Sequence, residues 1–359
     1  MMVAVGEMSW LDVAGRVVIG LLGLGCVVYF FKSIIRVGVL NRKFRDPMAF
    51  WVSRMVLAVF RLYIGRMPGA RRRGNDVLTW YWPCAFMAII AAWFLLVMLG
   101  FTLMNVAVQA EPSVMRAVIA SGSALSTLGF STPETQAGEL LAIAEGAIGL
   151  FVVVYLFTFL PSFMDVIQER GRRVAWVYDR AGEHPCGARL VLWHYRNGRG
   201  DSLDGVWEDW EAFFRKFAEA RSFLPILSLV RPVKPDRSWV CAFGAFLDAV
   251  ALARTTVARP AGTAEICLQC GIETMENIHH AMYGTPIVPR RDPALAEVKR
   301  EAYDAACAAL AAAGVPLVED RERAWQDFAA ARMAYEGQVA WVAEALGDPK
   351  PSWPAPEEV

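Results

Sequence analysis

Two long stretches without charge constrain this chain more than any other feature of its sequence. Residues 77–110 contain no charged side chain, and residues 146–164 are uncharged over 19 positions. Either stretch can cross the hydrocarbon core of a bilayer, which is about 30 Å thick and needs about 20 helical residues. A third apolar run, 17–31, reaches that length if Lys32 and Arg36 extend their charged ends toward the membrane surface. The sequence therefore predicts an all-α membrane protein with three transmembrane helices.

The first apolar run has to be distinguished from a secretory signal peptide. The segment before it carries Glu7, Asp12 and a single basic residue, Arg16, so it lacks the positively charged start of such a peptide. No cleavage site of small residues follows the run. We therefore interpret residues 1–40 as an N-terminal transmembrane helix that the protein retains.

The distribution of lysine and arginine predicts the orientation. Eleven basic residues and one acidic residue, Asp46, lie from Lys32 to Arg73, whereas residues 111–139 contain one basic residue. Basic loops stay on the cytoplasmic side, so residues 41–76 are expected in the cytoplasm and the N-terminus outside. The chain after the third span is then cytoplasmic. It has 23 basic and 28 acidic residues, and this mildly acidic balance disfavours nucleic acid as a partner.

The basic segment 41–76 contains an apolar stretch of its own, residues 47–67. Three arginines interrupt this stretch: Arg54, Arg61 and Arg66. Such a composition suits a helix that lies in the plane of the lipid headgroups, but it also suits a surface helix packed on the C-terminal domain. The arginine triplet 71–73 is interpreted as an orientation signal that contacts lipid headgroups. Membrane lipids are therefore expected partners.

The segment between the second and third spans is too short to cross a bilayer and too apolar for an ordinary wet loop. Glu111 and Pro112 suit the start of a helix, and a helix over 112–125 would be about 20 Å long. Residues 126–131 then form a turn of serine, threonine and glycine. We expect it to return outward in extended form from Thr127, with Gly129 relaxing the backbone so that carbonyls can face an axis. Irregular backbone is tolerated at membrane depth only where it is buried in protein or lines a watery path. We therefore predict a re-entrant pore helix and a filter loop, with an ordinary loop between two spans as the alternative.

Four elements follow one another in this region: an outer helix (77–110), a pore helix (112–125), a filter loop (126–131) and an inner helix (139–164). With the motif Thr127-Leu-Gly-Phe130, this order resembles the pore domain of the two-transmembrane potassium channel superfamily, over residues 81–164. The filter of that family reads Thr-Val-Gly-Tyr-Gly or Thr-Ile-Gly-Phe-Gly. The overall pattern is similar to bacterial ion channels with a helical C-terminal region. The resemblance implies a homotetrameric channel in the bacterial inner membrane that passes K+, with Na+ as a further candidate.

The resemblance also implies roles for individual residues. Four backbone carbonyls, together with the Thr127 hydroxyl group, would form the ion sites: those of Thr127, Leu128, Gly129 and Phe130. Ser131 stands where the family has a second glycine, and Thr132 stands where it has an acid. Serine adopts the left-handed backbone conformation of that glycine only reluctantly. We therefore expect weaker discrimination against sodium than in the family.

Four residues are assigned to the support of the filter: Ser126, Ser131, Arg116 and Glu145. A charge inside a span is costly and is usually paired or functional, so Glu145 has three interpretations. It can pair with Arg116 behind the filter, face the vestibule and concentrate cations, or lie near the interface with its carboxylate turned outward. Gly146 and Gly149 could let the inner helix bend as a gate, although glycine also serves close helix packing in membranes.

The chain from residue 165 onward shows helical periodicity. Aromatic residues at helical spacing over 204–223 are predicted to form its core, and one helix is predicted from Glu319 to Leu346. We predict a cytoplasmic helical domain over 165–348, followed by a proline-rich tail, 349–359. Four zinc-type side chains lie within 14 residues: Cys267, Cys270, His279 and His280. All fall on one predicted helix, which cannot close a tetrahedron around one ion with that spacing. Since the sequence also lacks a convincing nucleophile–base pair or nucleotide-binding motif, we predict no enzymatic activity, no metal and no cofactor.

Two functional hypotheses remain. The first is a cation channel, homotetrameric because one pore loop per chain supplies one quarter of a ring filter. The second is a channel-like membrane scaffold or sensor that does not conduct and acts through its helical C-terminal domain. A Trk-type transporter subunit would need four pore loops in one chain, and this sequence has one. The sequence assigns no ligand or protein partner to the cytoplasmic domain.

Overall fold

The apolar segments and the C-terminal half alike form helices in a computed structural model of the chain. The structure describes residues 10–38, 46–65, 80–223, 237–260, 262–283, 298–349 and 353. The described residues are 83% helical and contain no strand, which confirms the all-α class. The chain divides into two compact units, one with the described residues up to Ser162 and one with those from Phe163 onward. The predicted tail, 349–359, lies almost entirely outside the described residues.

The described residues of the first unit form five helices. They are α1 (Trp10–Gly38), α2 (Pro47–Gly65), α3 (Tyr81–Ala107), α4 (Val114–Leu125) and α5 (Gln136–Ala181), of which the last continues into the second unit. Three of these helices, α1, α3 and α5, are long and apolar enough to cross a membrane. The inner helix was predicted over 139–164, so it begins three residues earlier and ends 17 residues later than the sequence indicated.

Helices α1 and α3 pack with their backbones in close contact, because a glycine of each meets the other. A β-carbon on Gly23 would lie 2.5 Å from the carbonyl oxygen of Gly100, and one on Gly100 would lie 2.8 Å from the carbonyl oxygen of Gly23. Small residues allow this close approach between membrane helices, where packing replaces the hydrophobic effect as the main source of association. The pair is therefore incompatible with larger side chains at either position.

A buried chain of hydrogen bonds joins the start of α2 to α1 and α3. Asp46 accepts a bond from the backbone N–H of Ala49 at 2.9 Å and thereby caps α2. The hydroxyl of Ser33 on α1 donates to Asp46 Oδ2 at 3.0 Å, and the indole N–H of Trp93 on α3 donates to the Ser33 oxygen at 2.9 Å. Helix α2 is therefore attached to the two apolar helices of its own unit.

The second unit consists of the C-terminal part of α5 and seven further α-helices in the described chain. These are α6 (Gly187–Arg196), α7 (Leu203–Phe223), α8 (Trp239–Thr256), α9 (Gly262–Tyr283), α10 (Arg300–Ala312), α11 (Arg321–Met333) and α12 (Glu336–Leu346). Helix α8 also has the length and composition of a membrane span, but 89% of it is buried. Its apolar side chains therefore contact protein.

The core of the second unit is aromatic. The ring of Trp210 stacks on that of Phe246 with centroids 3.8 Å apart. The aromatic residues of α7 predicted to line a core are all buried: Trp207, Trp210, Phe213, Phe214 and Phe217. Each such side chain removes about 150–250 Å² from water, so this layer accounts for much of the unit's hydrophobic stabilisation. The prediction that these aromatic residues form a core is confirmed.

The sequence suggested one helix from Glu319 to Leu346, but the structure breaks it between Met333 and Glu336. The break brings two donors to one buried carboxylate. Asp248 Oδ1 accepts from Arg332 Nε at 3.0 Å and from the Tyr335 hydroxyl at 2.6 Å. A buried charge must be paired and hydrogen-bonded. The helix breaks where it does because the break lets both Arg332 and Tyr335 bond to Asp248, a contact that no local sequence pattern predicts.

His194 on α6 is buried and lies against the ring of Trp176 on α5, with centroids 5.7 Å apart. Its Nδ1 atom is 2.8 Å from the carbonyl oxygen of Leu190. Burial lowers the pKa of His194 below the usual value of 6.5, and the positive charges of Arg180 and Arg199 lower it further. The folded protein therefore binds a proton at this site less readily than the unfolded chain does.

This difference predicts that acid destabilises the fold. Above the unfolded pKa of about 6.5 the neutral histidine imposes no penalty, and stability falls as the pH drops below that value. Thermal unfolding of the full-length protein should show the fall between about pH 8 and 5.5. A His194→Gln variant, whose amide can still donate to the Leu190 carbonyl, should show a smaller fall. The control variant His184→Gln, at an exposed position, should lose as much stability as wild type. An equal dependence of the unfolding temperature on pH in all three proteins would contradict the prediction.

Candidate functional site

A short helix, α4, lies between α3 and α5 in the chain, where the sequence predicted a pore helix over 112–125. It begins after Ser113, whose extended backbone and side chain form an N-cap, with Ser113 Oγ accepting a bond from the Arg116 N–H at 3.3 Å. Glu111 and Pro112, expected to begin the helix, therefore precede it. With 12 residues the helix is about 18 Å long, which is too short to cross a bilayer.

The turn after α4 closes the helix with a Schellman motif. The N–H of Thr127 bonds to the carbonyl of Ala124 at 3.0 Å, and the N–H of Leu128 bonds to the carbonyl of Ser123 at 3.1 Å. This motif needs a left-handed residue, and Thr127 takes that conformation with a φ of 58°. Glycine normally occupies the position, and a β-branched residue there is an outlier of the kind found at functional sites. The expectation that the chain is extended from Thr127 onward is therefore wrong at this residue.

Ser123 organises the rest of the turn, although its sequence context did not indicate this role. It is fully buried, its carbonyl also lies 3.4 Å from the N–H of Gly129, and its hydroxyl oxygen accepts the N–H of Ser131 at 3.0 Å. The only sequence signal was a small polar residue in an apolar helix, four positions before the motif. Ser126, predicted to support the filter, donates from its hydroxyl to the carbonyl of Gly122 at 2.6 Å.

Gly129 and Ser131 differ in backbone conformation. Gly129 has a φ of 68°, and no atom lies within 4 Å of the position that a β-carbon would occupy, whereas Ser131 stays outside the left-handed region. The turn from Ser126 to Phe130 is exposed on the single chain. Its two large apolar side chains, Leu128 and Phe130, are 71% and 67% exposed. The motif therefore presents both backbone and apolar surface outward.

Glu145 is buried on α5 and contacts α4. The hydroxyl of Ser121 lies 2.5 Å from Glu145 Oε1 and 3.1 Å from the carbonyl oxygen of Met98 on α3. The Ser121 hydroxyl therefore stands between a carboxyl oxygen of α5 and a backbone carbonyl oxygen of α3. This three-helix contact fixes the back of α4, while the other carboxyl oxygen, Oε2, is buried without a hydrogen-bond partner among the described residues.

The partners of Glu145 decide among its three interpretations. Arg116 forms its ion pair with Glu111, at 3.8 Å, and its side chain is 55% exposed. The proposed Arg116–Glu145 pair is therefore wrong. Glu145 itself has no exposed surface, so it neither turns outward to the interface nor faces an open vestibule in the single chain. It supports α4 through Ser121 instead.

Gly149 packs directly on the end of α4. A β-carbon there would lie 2.2 Å from the carbonyl oxygen of Leu125, closer than any real contact. One turn earlier, a β-carbon on Gly146 would lie 3.4 Å from the carbonyl oxygen of Ala124, an ordinary distance. Helix α5 continues without interruption through both glycines. The geometry assigns Gly149 to close packing, the alternative weighed against a hinge.

In the second unit, the four zinc-type side chains singled out in the sequence all lie on α9 (Gly262–Tyr283). Burial raises the pKa of the Cys267 thiol well above its usual value, whereas a metal ligand has to lose that proton. Within the described parts of the chain, no group of three or more histidine, cysteine or acidic side chains could hold a metal ion.

No protein-family model, curated protein or solved structure matches this chain. Several helices of membrane-spanning length indicate a membrane protein.

Proposed function

We propose that the chain is one subunit of a homotetrameric cation channel whose filter is formed by four copies of the turn 126–131. The observation that carries this proposal is the exposure of that turn between two helices of membrane-spanning length. Irregular backbone at membrane depth cannot face lipid. The turn is therefore covered when copies of the chain meet around an axis and their turns line an aqueous path.

Charge supports a cation as the permeant species. The C-terminal end of α4 carries the partial negative charge of the helix dipole, and it ends at Leu125, next to the turn. One such loop per chain supplies one quarter of a ring of carbonyl oxygens that can replace the water shell of K+. In this proposal the ion sites are formed by Thr127, Leu128, Gly129 and Phe130. Ser131, which is not left-handed, lets Na+ compete more than in a filter with a second glycine.

The remaining parts of the proposal follow from the distribution of charge. The N-terminus lies outside, and the basic segment 41–76 and the second unit lie in the cytoplasm. The bacterial inner membrane is what the resemblance to bacterial ion channels implies. Helix α5 runs from Gln136 to Ala181 and enters the second unit as a helix. A continuous helix of this kind gives the cytoplasmic unit a direct covalent connection to the wall of the pore.

Two measurements test the proposal: the mass of the oligomer and the uptake of K+ by liposomes that contain it. Native mass spectrometry of the detergent-purified protein should show four chains of 39.7 kDa, and liposomes that contain it should take up K+ down a gradient. Monomers or dimers alone would contradict a ring filter, because two loops have too few carbonyls to replace a hydration shell. A tetramer without flux of any monovalent cation would instead identify a non-conducting scaffold or sensor that acts through its helical C-terminal unit.

A further inference from the structure

Helix α2 has an apolar stripe that faces away from the rest of its unit. Four large side chains form the stripe, and each is more than half exposed: Trp51, Met55, Val59 and Leu62. Their spacing of four, four and three residues places them within about 80° of one another around the helix axis. A monomeric protein in water rarely exposes such a continuous apolar surface, so this stripe, which we call the α2 stripe, needs an occupant.

The other side of α2 is fixed, so the direction of the α2 stripe is fixed as well. The hydroxyl of Tyr81, the first residue of α3, donates to the carbonyl of Ser53 at 3.3 Å. The rings of Phe60 and Tyr81 meet edge to face with centroids 6.0 Å apart. At its start, α2 is held by the bond between Asp46 and Ser33 of α1. The helix therefore cannot rotate to bury the stripe without breaking contacts along its whole length.

Two arginines border the α2 stripe on one side. Arg54 and Arg61 are both exposed and lie about 60–80° from Trp51 around the axis. The guanidinium carbon of Arg54 is 5.9 Å from the centroid of the Trp51 ring, so charge and apolar surface adjoin directly. Residues 47–65 include no acid, and no carboxylate in the described chain forms an ion pair with either arginine. An apolar stripe with a basic border is the pattern of a helix that lies in a membrane surface.

We propose that the α2 stripe binds the surface of an anionic phospholipid bilayer. The apolar side chains enter the boundary between headgroups and acyl chains, and Arg54 and Arg61 bind lipid phosphates. Continuity with the membrane helices selects this occupant over a soluble partner. Ser33, which holds the start of α2, stands between Lys32 and Arg36 at the end of α1, and there the apolar run gives way to charge. The start of α2 is therefore attached where basic side chains adjoin the apolar surface of a membrane-length helix, and the inference does not depend on ion conduction.

Lipid preference tests the basic border. Full-length protein is titrated with phosphatidylglycerol and with phosphatidylcholine of the same acyl chains, and bound lipids are counted by native mass spectrometry. Each surface arginine contributes a factor of about five to anionic lipid binding, so Arg54→Gln/Arg61→Gln should reduce the preference for phosphatidylglycerol by about 30-fold. A matched variant, Arg196→Gln/Arg323→Gln, removes two exposed charges from the second unit and should retain the preference. Equal preferences in wild type and the first variant would overturn the proposal.

A photo-crosslinker identifies the occupant of the stripe directly. Met55 is 66% exposed and can be replaced by a benzophenone amino acid in protein reconstituted into phosphatidylglycerol nanodiscs. Illumination is expected to give a mass increase of one phospholipid. A crosslink to a second copy of the chain, or to another segment of the same chain, would show that protein covers the stripe and would overturn the assignment to lipid.

Discussion

Replacing Gly149 by alanine is expected to impair the protein severely, whereas the same change at Gly146 is expected to be neutral or mildly stabilising. The new methyl group at position 149 would lie 2.2 Å from the carbonyl oxygen and 3.2 Å from the carbonyl carbon of Leu125. Both are backbone atoms at the end of α4, so relief requires movement of the whole helix end. Overpacking of this kind costs about 1–3 kcal/mol per chain, and a tetramer incurs it four times.

Gly146 provides the matched control on the same helix. Its added β-carbon would meet the Ala124 carbonyl at 3.4 Å, and alanine is favoured over glycine inside a helix by about 0.5–1 kcal/mol. Thermal unfolding and liposome K+ uptake measure both variants. We expect at least a tenfold loss of uptake for Gly149→Ala and less than a twofold change for Gly146→Ala. If the glycines acted as a gate hinge, both variants would change channel opening, and equal effects would contradict the packing assignment.

The boundaries of the membrane helices show what hydropathy can and cannot predict. The uncharged run 77–110 contains α3, observed as Tyr81–Ala107. The uncharged stretch 146–164 did not predict that α5 continues to Ala181. Hydropathy marks where a helix leaves an apolar environment, whereas hydrogen bonding decides where the helix ends. Beyond the run, an ion pair one turn apart, Glu169 with Arg173 at 2.8 Å, supports continued helix.

The contacts that Glu145 makes with α4 could not be predicted from the sequence. Arg116 was the nearest cation to Glu145 by sequence, but it stands in the first turn of α4 and pairs with Glu111. Glu145 lies beside Ser121, five residues and about 7.5 Å further along α4. The register of α5 against α4 decides which side chain it meets, and that register depends on the packing of Gly149. A local pattern contains no information about it.

The turn itself was partly predictable. Gly129 was expected to relax the backbone, and it does adopt a left-handed conformation. Thr127 adopts one too, which its β-branched side chain disfavours. The hydrogen bonds from Thr127 and Leu128 to the last turn of α4 offset this strain, and their geometry appears only once the helix end is in place. The sequence identified the motif, while the strain within it is a result of the structure.

Gly129→Val is expected to abolish cation flux. At a φ of 68° a β-branched residue is strained by at least about 1–2 kcal/mol, and each of four chains in the proposed ring would carry that strain. Nothing in the single chain lies within 4 Å of the added β-carbon. The loss would therefore come from the backbone conformation and from crowding between copies at the axis. Liposome uptake should fall at least tenfold, and a variant with wild-type flux would remove residue 129 from the filter.

Ser131→Gly provides the complementary change in the same turn, and it is expected to preserve flux while raising selectivity for K+ over Na+. The Ser131 side chain is not needed for its backbone N–H bond to Ser123 Oγ, 3.0 Å long, so glycine can keep the bond or adopt the left-handed conformation at little cost. That freedom would allow the outer ring of carbonyls to form. Reversal potentials in bi-ionic K+ and Na+ gradients measure the change. If selectivity stays at the wild-type value, the filter already accommodates serine, and its weaker selectivity cannot be attributed to Ser131.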